Sequence, residues 1–430
     1  MESRREFLKI STAAAAASRS VPGANDRVQM GVIGTGIRGN QVHDAFVHNT
    51  DVQFIAACDV AKSKLDKFAT KVGGKVATYT DYRKLIENKD IQAVLITTPD
   101  HWHYPMLLAA CQAGKDVYVE KPVSNAIDPA LKMIEATRKY NRVVQVGLQQ
   151  RSWQHFQDCA KLLKDGYIGS VNQCMMLFGS LSGFRLPAEK PTPPPPDLDW
   201  DAFQGAAPHH DYVASRQNSW RTYYDYGGGS VTDWGVHLMD VTMWYMDADN
   251  KQPLLTSGMG QYISLAPDPE KSPDTFSVTW KFDKFVATFT NAVPPSQEGM
   301  IMSEKYGNYF FGARGMMLVN RFGYEILPIP PMKLPANMAN NYQLPPQPPP
   351  IEGKKDMDPD RIREIPDSKS GSATVRHTRN FLDCVKSRQR PVCDIEIGFN
   401  STLPCLLANL SIRQGKSFVW DNNTKTARPA

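Results

Sequence analysis

The sequence predicts an α/β protein of two domains, and three observations carry that expectation. Between residues 27 and 150 short apolar runs alternate with helical stretches. The first run leads into a G-x-G-x-x-G turn, and the next run ends in an acid. Beyond residue 151 a glycine loop opens a very apolar helix, among strand-like runs that read as an open sheet. The 430 residues suffice for two or three domains at roughly 100–200 residues each. Boundaries are expected at 1–26, 27–150 and 151–430.

The first strand is Val28–Ile33, followed by Gly34-Thr35-Gly36-Ile37-Arg38-Gly39 and a helical stretch from Gln41. The second strand, Val52–Cys58, ends at Asp59. Strand, glycine turn, helix, strand and terminal acid together form the dinucleotide-binding fingerprint of a Rossmann domain. In it Gly34 permits the tight turn, Gly36 lets the backbone approach a pyrophosphate, and Gly39 lets helix and strand pack closely. The helix start, with Ile37 and Arg38, offers free N–H groups to the phosphates. Asp59 is placed to accept hydrogen bonds from ribose hydroxyls. Its charge would repel a 2′-phosphate, which favours NAD over NADP, although Lys62 and Lys64 soften that preference.

The alternation continues through strands at Ala93–Pro99, Asp116–Val119 and Val143–Val146, with helices at Tyr104–Ala113 and from Asp128 to about Tyr140. Such spacing implies right-handed crossovers and a parallel sheet. Ligands then sit at the carboxyl ends of the strands. Thr98, Pro99, Glu120, Lys121 and Gln149 fall there, and His103 starts a helix beside the cofactor.

Past residue 151 a helix is expected at Trp153–Lys164, strands at Val171–Phe178, Phe276–Trp280 and Phe285–Phe289, and helices at Ser372–Lys386 and Ser401–Ile412. Two proline-rich stretches, Pro191–Pro196 and Pro328–Pro350, read as extended surface connections. The sharpest feature runs from Gly227 to Asp240. Asp233, His237 and Asp240 stand at i, i+4 and i+7, hence on one face of an apolar helix. Ionisable groups there are costly unless partnered or facing a cavity, so this face is expected to line a site.

Composition narrows the function classes. Lys and Arg total 49 against 44 Asp and Glu, a surplus too small and too spread out for a nucleic-acid surface. Past the N-terminus no apolar run approaches the roughly 18 residues of a membrane span. Seven cysteines without C-x-x-C spacing argue against a disulfide scaffold or zinc ribbon. His101, His103, His209 and His210 lack a third ligand at a recognisable spacing, so no metal is expected.

Ser3-Arg4-Arg5-Glu6-Phe7-Leu8-Lys9 resembles the twin-arginine export signal, followed by a short alanine-rich stretch to Ala17. That resemblance implies a periplasmic or otherwise exported protein, carried across already folded; without it the chain would be cytoplasmic. Little free dinucleotide exists outside the membrane, so an exported enzyme is expected to hold its cofactor tightly and to close its own redox cycle.

The ordered motifs also resemble the glucose–fructose oxidoreductase / inositol dehydrogenase / MocA (Gfo/Idh/MocA) family over about residues 28–420. The carriers are Gly34–Gly39, Glu120-Lys121-Pro122 and the run from Gly228 to His237, with Thr98–His103 and Trp220-Arg221 as further pieces. The family implies a Rossmann domain followed by an α/β domain whose open, largely antiparallel sheet commonly forms a homo-oligomer interface. It also implies hydride transfer to or from a secondary hydroxyl of a sugar, glycoside or cyclitol. By the same resemblance Lys121 and His237 flank that hydroxyl, Asp233 orients the site, and Trp220 and Arg221 join the cofactor grip. Either Lys121 or His237 can be the base; His237 is preferred, with Lys121 polarising the oxygen. Two rival readings are a glycosidase or lyase using NAD for transient oxidation and elimination, and a sugar-sensing module that keeps the cofactor structurally. The intact Lys121, Asp233 and His237 weigh against the sensor.

Overall fold

The computed structural model describes residues 27–179, 189–263, 267–291, 306–328, 362–364 and 373–430. The twin-arginine-like start and the proline-rich stretch beyond Pro328 lie outside them.

The first domain runs β1 (Val28–Ile33), α1 (Ile37–Val47), β2 (Val52–Cys58), α2 (Lys62–Lys71), β3 (Ala77–Tyr79), α3 (Tyr82–Glu87), β4 (Ala93–Ile96), α4 (His103–Gln112), β5 (Asp116–Val119), α5 (Ile127–Lys139) and β6 (Val144–Val146). Its strands form a six-stranded sheet in the order β3-β2-β1-β4-β5-β6, parallel throughout. Every residue of β4 and β5 is buried, as strands covered on both faces require. Because β1 pairs with both β2 and β4, the chain leaves it in opposite directions, and the crevice at that reversal opens at the strands' carboxyl ends. Helix α1 starts at Ile37, four residues before the expected Gln41, because the glycine turn supplies its N-cap, Gly36.

The second domain continues with α6 (Gln154–Lys164), β7 (Val171–Phe178), α7 (Trp200–Gln204), α8 (Ala214–Asn218), α9 (Gly229–Asp233) and α10 (Gly235–Tyr245). Strands β8 (Leu255–Gln261), β9 (Thr275–Lys281), β10 (Val286–Thr290), β11 (Tyr306–Gly312), β12 (Gly315–Asn320), β13 (Gly323–Pro328) and β14 (Ile362–Glu364) follow. Helices α11 (Ala373–Ser387) and α12 (Ile395–Gln414) and strands β15 (Phe418–Asp421) and β16 (Thr426–Pro429) end the chain. These strands form a ten-stranded sheet, β14-β13-β12-β11-β7-β10-β9-β8-β15-β16. Among the described strands only β7 and β10 pair in parallel, so the sheet is mixed and mostly antiparallel, as expected. In β9 Phe276, Val278 and Trp280 point inward while Ser277, Thr279 and Lys281 face out, the period-two pattern of a half-covered sheet. Helices α10 and α12 cover the inner face, where Trp280 Nε1 donates to Pro404 O at 2.9 Å.

Two features modify the expected division. Helix α11 returns to the first domain: Phe381 and Leu382 join its core, His377 lies 2.9 Å from Val146 O, and Arg379 pairs with Asp51. Part of 151–430 therefore completes the dinucleotide-binding domain. The exposed Pro191–Pro196 run is an extended connection, as expected, but it leads into a segment that binds the first domain. Leu198 bridges to Ala61, Lys62 N donates to Asp197 O at 2.7 Å, and Trp102 Nε1 donates to Phe203 O at 2.8 Å. Trp200, Phe203, Tyr212, Tyr223 and Tyr226 form a separate aromatic core beneath it.

No helix of the described residues is long and apolar enough to cross a membrane.

Candidate active site

The glycine turn has the shape its sequence requires. Gly34 has φ +93°, and a side chain on Gly39 would strike Gly34 O at 2.0 Å. A side chain on Gly36 would point into open space. Helix α1 has no side-chain cap and no acid in its first turn, so its free amides and positive end face the crevice. This cradle fits a diphosphate. Asp59 stands at the end of β2, where Oδ2 accepts from Thr35 N at 2.7 Å and Thr35 Oγ1 at 3.1 Å, and Oδ1 from Ala61 N at 2.9 Å. Its carboxylate thus braces the glycine turn and retains acceptor capacity for a ribose.

A cavity of roughly 230 Å³ opens beside this cradle. From the first domain come Arg38, Thr98, Glu120, Lys121 and Gln149. From the second come Trp220, Arg221, Asp233 and His237. The fold thus brings nine predicted site residues together. Arg38 is held by Glu120 at 2.8 Å, and Glu120 packs against Gly147, where a side chain would meet it at 2.6 Å.

The centre is Lys121, whose peptide bond to Pro122 is cis. Its Nζ donates to Asp233 Oδ1 at 2.5 Å and to Asp233 O at 2.7 Å. The second bond exists because the expected continuous helix is interrupted: α9 stops at Asp233 and α10 starts at Gly235, which leaves that carbonyl to the lysine. Arg221 Nε also donates to Asp233 Oδ1, at 3.2 Å. Burial pushes the Asp233 carboxyl up, but Lys121 and Arg221 outweigh it and hold it below the usual range. His237 is buried, and its Nδ1 has no hydrogen-bond partner. Burial, reinforced by Lys121, Arg321 and Arg38, holds its pKa well below that of an ordinary imidazole. It is a neutral base at neutral pH.

Two expectations are corrected. His103 is fully buried, with Nδ1 2.8 Å from Pro122 O and Nε2 3.1 Å from Thr98 O. The neutral ring donates to one of these carbonyls and only abuts the other; fully buried, it packs between the two loops behind the cavity and does not line it. Asp240 does not share the site face. It lies further along the helix, in the core, where Arg151 Nε binds its two oxygens at 2.8 and 3.0 Å and Ser401 donates at 2.8 Å. Pro99 and Ile37 border the crevice without lining the cavity; Ile37 is 83% exposed, open to a bound cofactor.

Five lining residues were not foreseen: Gln41, Thr97, Asp100, Trp234 and Arg321. Asp100 is buried, and burial raises its carboxyl well above the usual range, against the pull of Arg221 and Lys121. Its place in Thr98-Pro99-Asp100 was the available signal. Arg321 occupies a two-residue turn between β12 and β13 and carries no signal in sequence.

Comparison with known proteins adds to this geometry. Residues 28–148 match the Gfo/Idh/MocA family described as "Oxidoreductase family, NAD-binding Rossmann fold", and residues 185–261 match its C-terminal alpha/beta domain. The inositol 2-dehydrogenase of Salmonella typhimurium is 31% identical over 159 residues, 35% of this chain and 45% of that enzyme. A glycosyl hydrolase family 109 protein of Solibacter usitatus is 33% identical over 165 residues, 32% of this chain and 37% of that protein. The chain thus spans less than half the length of the inositol dehydrogenases it matches. Among solved structures, aldose-aldose oxidoreductase from Caulobacter crescentus superposes with a TM-score of 0.65 at 16% identity, covering 91% of this chain and 99% of that one. This last likeness is one of fold.

Proposed function

We propose that this chain, whose two matched domains are those of a Gfo/Idh/MocA oxidoreductase, oxidises or reduces a secondary hydroxyl of a sugar, glycoside or cyclitol with NAD. One observation carries the reading: Lys121, Asp233 and His237 converge on one cavity at the carboxyl ends of the parallel strands, beside the uncapped start of α1. The glycine turn would hold the diphosphate and Asp59 the ribose. When bound, NAD supplies the hydride acceptor.

The chain's own residues then divide the work. The Nζ of Lys121 faces two acceptors, so it needs its protons and acts as a donor to the substrate oxygen. His237, uncharged and without a hydrogen bond, accepts the hydroxyl proton. Asp233 orients Lys121 and can accept from a neighbouring hydroxyl. Preorganised donors at the site of developing charge are worth more in a water-poor cavity than in solution. Trp220 and Trp234 add an apolar wall.

The likeness to a glycosyl hydrolase family 109 protein favours a second reading on the same residues. Oxidation at one carbon would acidify the neighbouring C–H, loss of that proton would expel the glycosidic group as an alcohol, water would add in its place in a glycosidase (not in a lyase), and reduction of the ketone would restore the cofactor. Cofactor retention and export through the twin-arginine route belong to the proposal as well. The Asp197–Phe203 segment, seated on the loop after β2 and on Trp102, supports retention. Ser3–Lys9 supports export. A homo-oligomer joined through the ten-stranded sheet is also proposed, to be read from the mass in solution.

The test is native purification, extensive dialysis and release of cofactor by denaturation, followed by NADH measurement on a panel of glycosides and cyclitols. Retained NAD with NADH formed on a free sugar or cyclitol supports the dehydrogenase. Glycoside cleavage without net NADH supports the second reading. A protein that binds no NAD and turns over nothing refutes both.

A further inference from the structure

The charges around the cavity do not cancel. Arg38 is matched by Glu120. Lys121 and Arg221 share Asp233. Asp100 is buried toward its neutral form. Arg321 remains, with no carboxylate within ion-pair distance among the described residues, and its Nε is buried without a hydrogen-bond partner. Only that nitrogen is sealed: the half-buried guanidinium borders the Tyr306 hydroxyl and the cavity, and keeps donor capacity for an anion.

Its position is also prepared. Arg321 and Phe322 form the tip of the β12–β13 hairpin. Asn320 pins that tip: Oδ1 accepts from Phe322 N at 2.8 Å, Nδ2 donates to Tyr306 O at 3.1 Å, and its carbonyl lies 2.8 Å from His155 Nε2. The guanidinium lies 4.9 Å from the centre of the Trp234 ring, and Phe178 stacks on that ring at 4.0 Å. Packing therefore supports the arginine at the cavity wall, near enough to His237 to depress its pKa. Side chains fixed in this way lose little entropy on binding.

We propose that Arg321 is the specificity residue for an anionic substrate: a sugar or cyclitol bearing a carboxylate or phosphate, whose oxyanion pairs with the guanidinium while a hydroxyl reaches Lys121 and His237. This rests on the dehydrogenase reading for the hydroxyl's fate but not for the anion's binding. A planar guanidinium offers an oxyanion two parallel N–H bonds, and the cavity's excess positive charge attracts the same group.

The experiment compares three hexoses on the cofactor-loaded protein: glucose, glucuronate and glucose 6-phosphate. Binding is measured by calorimetry and turnover by NADH, for wild type, Arg321→Gln and Arg321→Lys. At least one anionic sugar is expected to bind on the order of 10- to 100-fold more tightly than glucose, the scale of losing one partner of a desolvated charge pair. Arg321→Gln removes that advantage and Arg321→Lys restores part of it. Whether glucuronate or the phosphate gains more identifies the oxyanion. Equal binding of all three, an advantage that survives Arg321→Gln, or a loss of NAD affinity in that variant instead would overturn the proposal. Arginine-dependent binding of an anionic sugar with no NADH would refute the dehydrogenase reading and leave the anionic subsite standing.

Discussion

Replacing Lys121 with methionine strikes the site at its centre. The change keeps an unbranched apolar stem and removes the ammonium that lies 2.5 Å from Asp233 Oδ1 and 2.7 Å from Asp233 O. Asp233 keeps one cationic partner, Arg221 at 3.2 Å. A group that donates to the reacting oxygen is worth about 10²–10⁴ in rate, or roughly 3–5 kcal/mol of barrier. The variant should therefore lose turnover by that factor while still releasing NAD on denaturation. A second effect is specific to this geometry. Burial is the largest cause of the depressed His237 pKa, and Lys121 is the largest charge adding to it. Without the cation the imidazole protonates more readily. A protonated His237 cannot accept the substrate proton, so the acidic limb of the residual kcat moves to higher pH. Rates of NADH formation across a pH series, on the cofactor-loaded variant, read both effects. Turnover close to wild type, or an acidic limb displaced to lower pH, would refute this account of Lys121.

The other predictions concern stability and cofactor choice. Arg151→Met leaves Asp240 buried without its cation and should cost about 3–5 kcal/mol; a denaturant midpoint within error of wild type would contradict that. Burial pushes the pKa of His377 down to about 4, against about 6.5 in the unfolded chain. The unfolded chain thus takes up the proton first, and stability present above about pH 6.5 falls by roughly 3 kcal/mol by pH 4. Unfolding free energies measured across that window should show the loss, and His377→Gln should flatten it; an unchanged slope would reject the assignment. Wild type should bind NAD more tightly than NADP. Asp59 stands at the end of β2, where a bound ribose would lie, and the first amides of α2 are already taken by Asp197, with Lys62 N to its carbonyl at 2.7 Å and Ser63 N to its carboxylate at 3.3 Å. Titration of cofactor-free protein with each dinucleotide checks this, and Asp59→Ser combined with Asp197→Ala should narrow the gap.

The dinucleotide-binding half was legible because its signals are local. Strand β1, the glycine turn and Asp59 lie within 32 residues of one another, and each responds to a constraint of backbone shape or phosphate approach that its neighbours in sequence already express. Glu120-Lys121-Pro122 was legible by its place at the end of a strand and by the family resemblance, and the Gly228–His237 run by ionisable residues at helical spacing in an apolar stretch. The helix they announced was read as continuous, and Asp240 was counted with Asp233 and His237. A local pattern cannot register that the chain breaks at Trp234 so that Lys121 can take the Asp233 carbonyl. Nor does it register that Arg151, 89 residues away, claims Asp240.

By itself the sequence determined the parallel sheet and the glycine turn, and with the family resemblance it pointed to three residues that the fold brings to one cavity. Only the tertiary structure decided which charges are spent and which are free. His103 stands within the motif and is buried between two carbonyls. Asp100 stands beside it and is open to the cavity. Arg321 sits on a hairpin turn 200 residues from Lys121 and is a cavity cation with no carboxylate within ion-pair distance among the described residues. The physical reason is that pairing and burial are set by contacts between distant segments. The cost of an unpaired charge therefore appears only when the whole surface that surrounds it has closed.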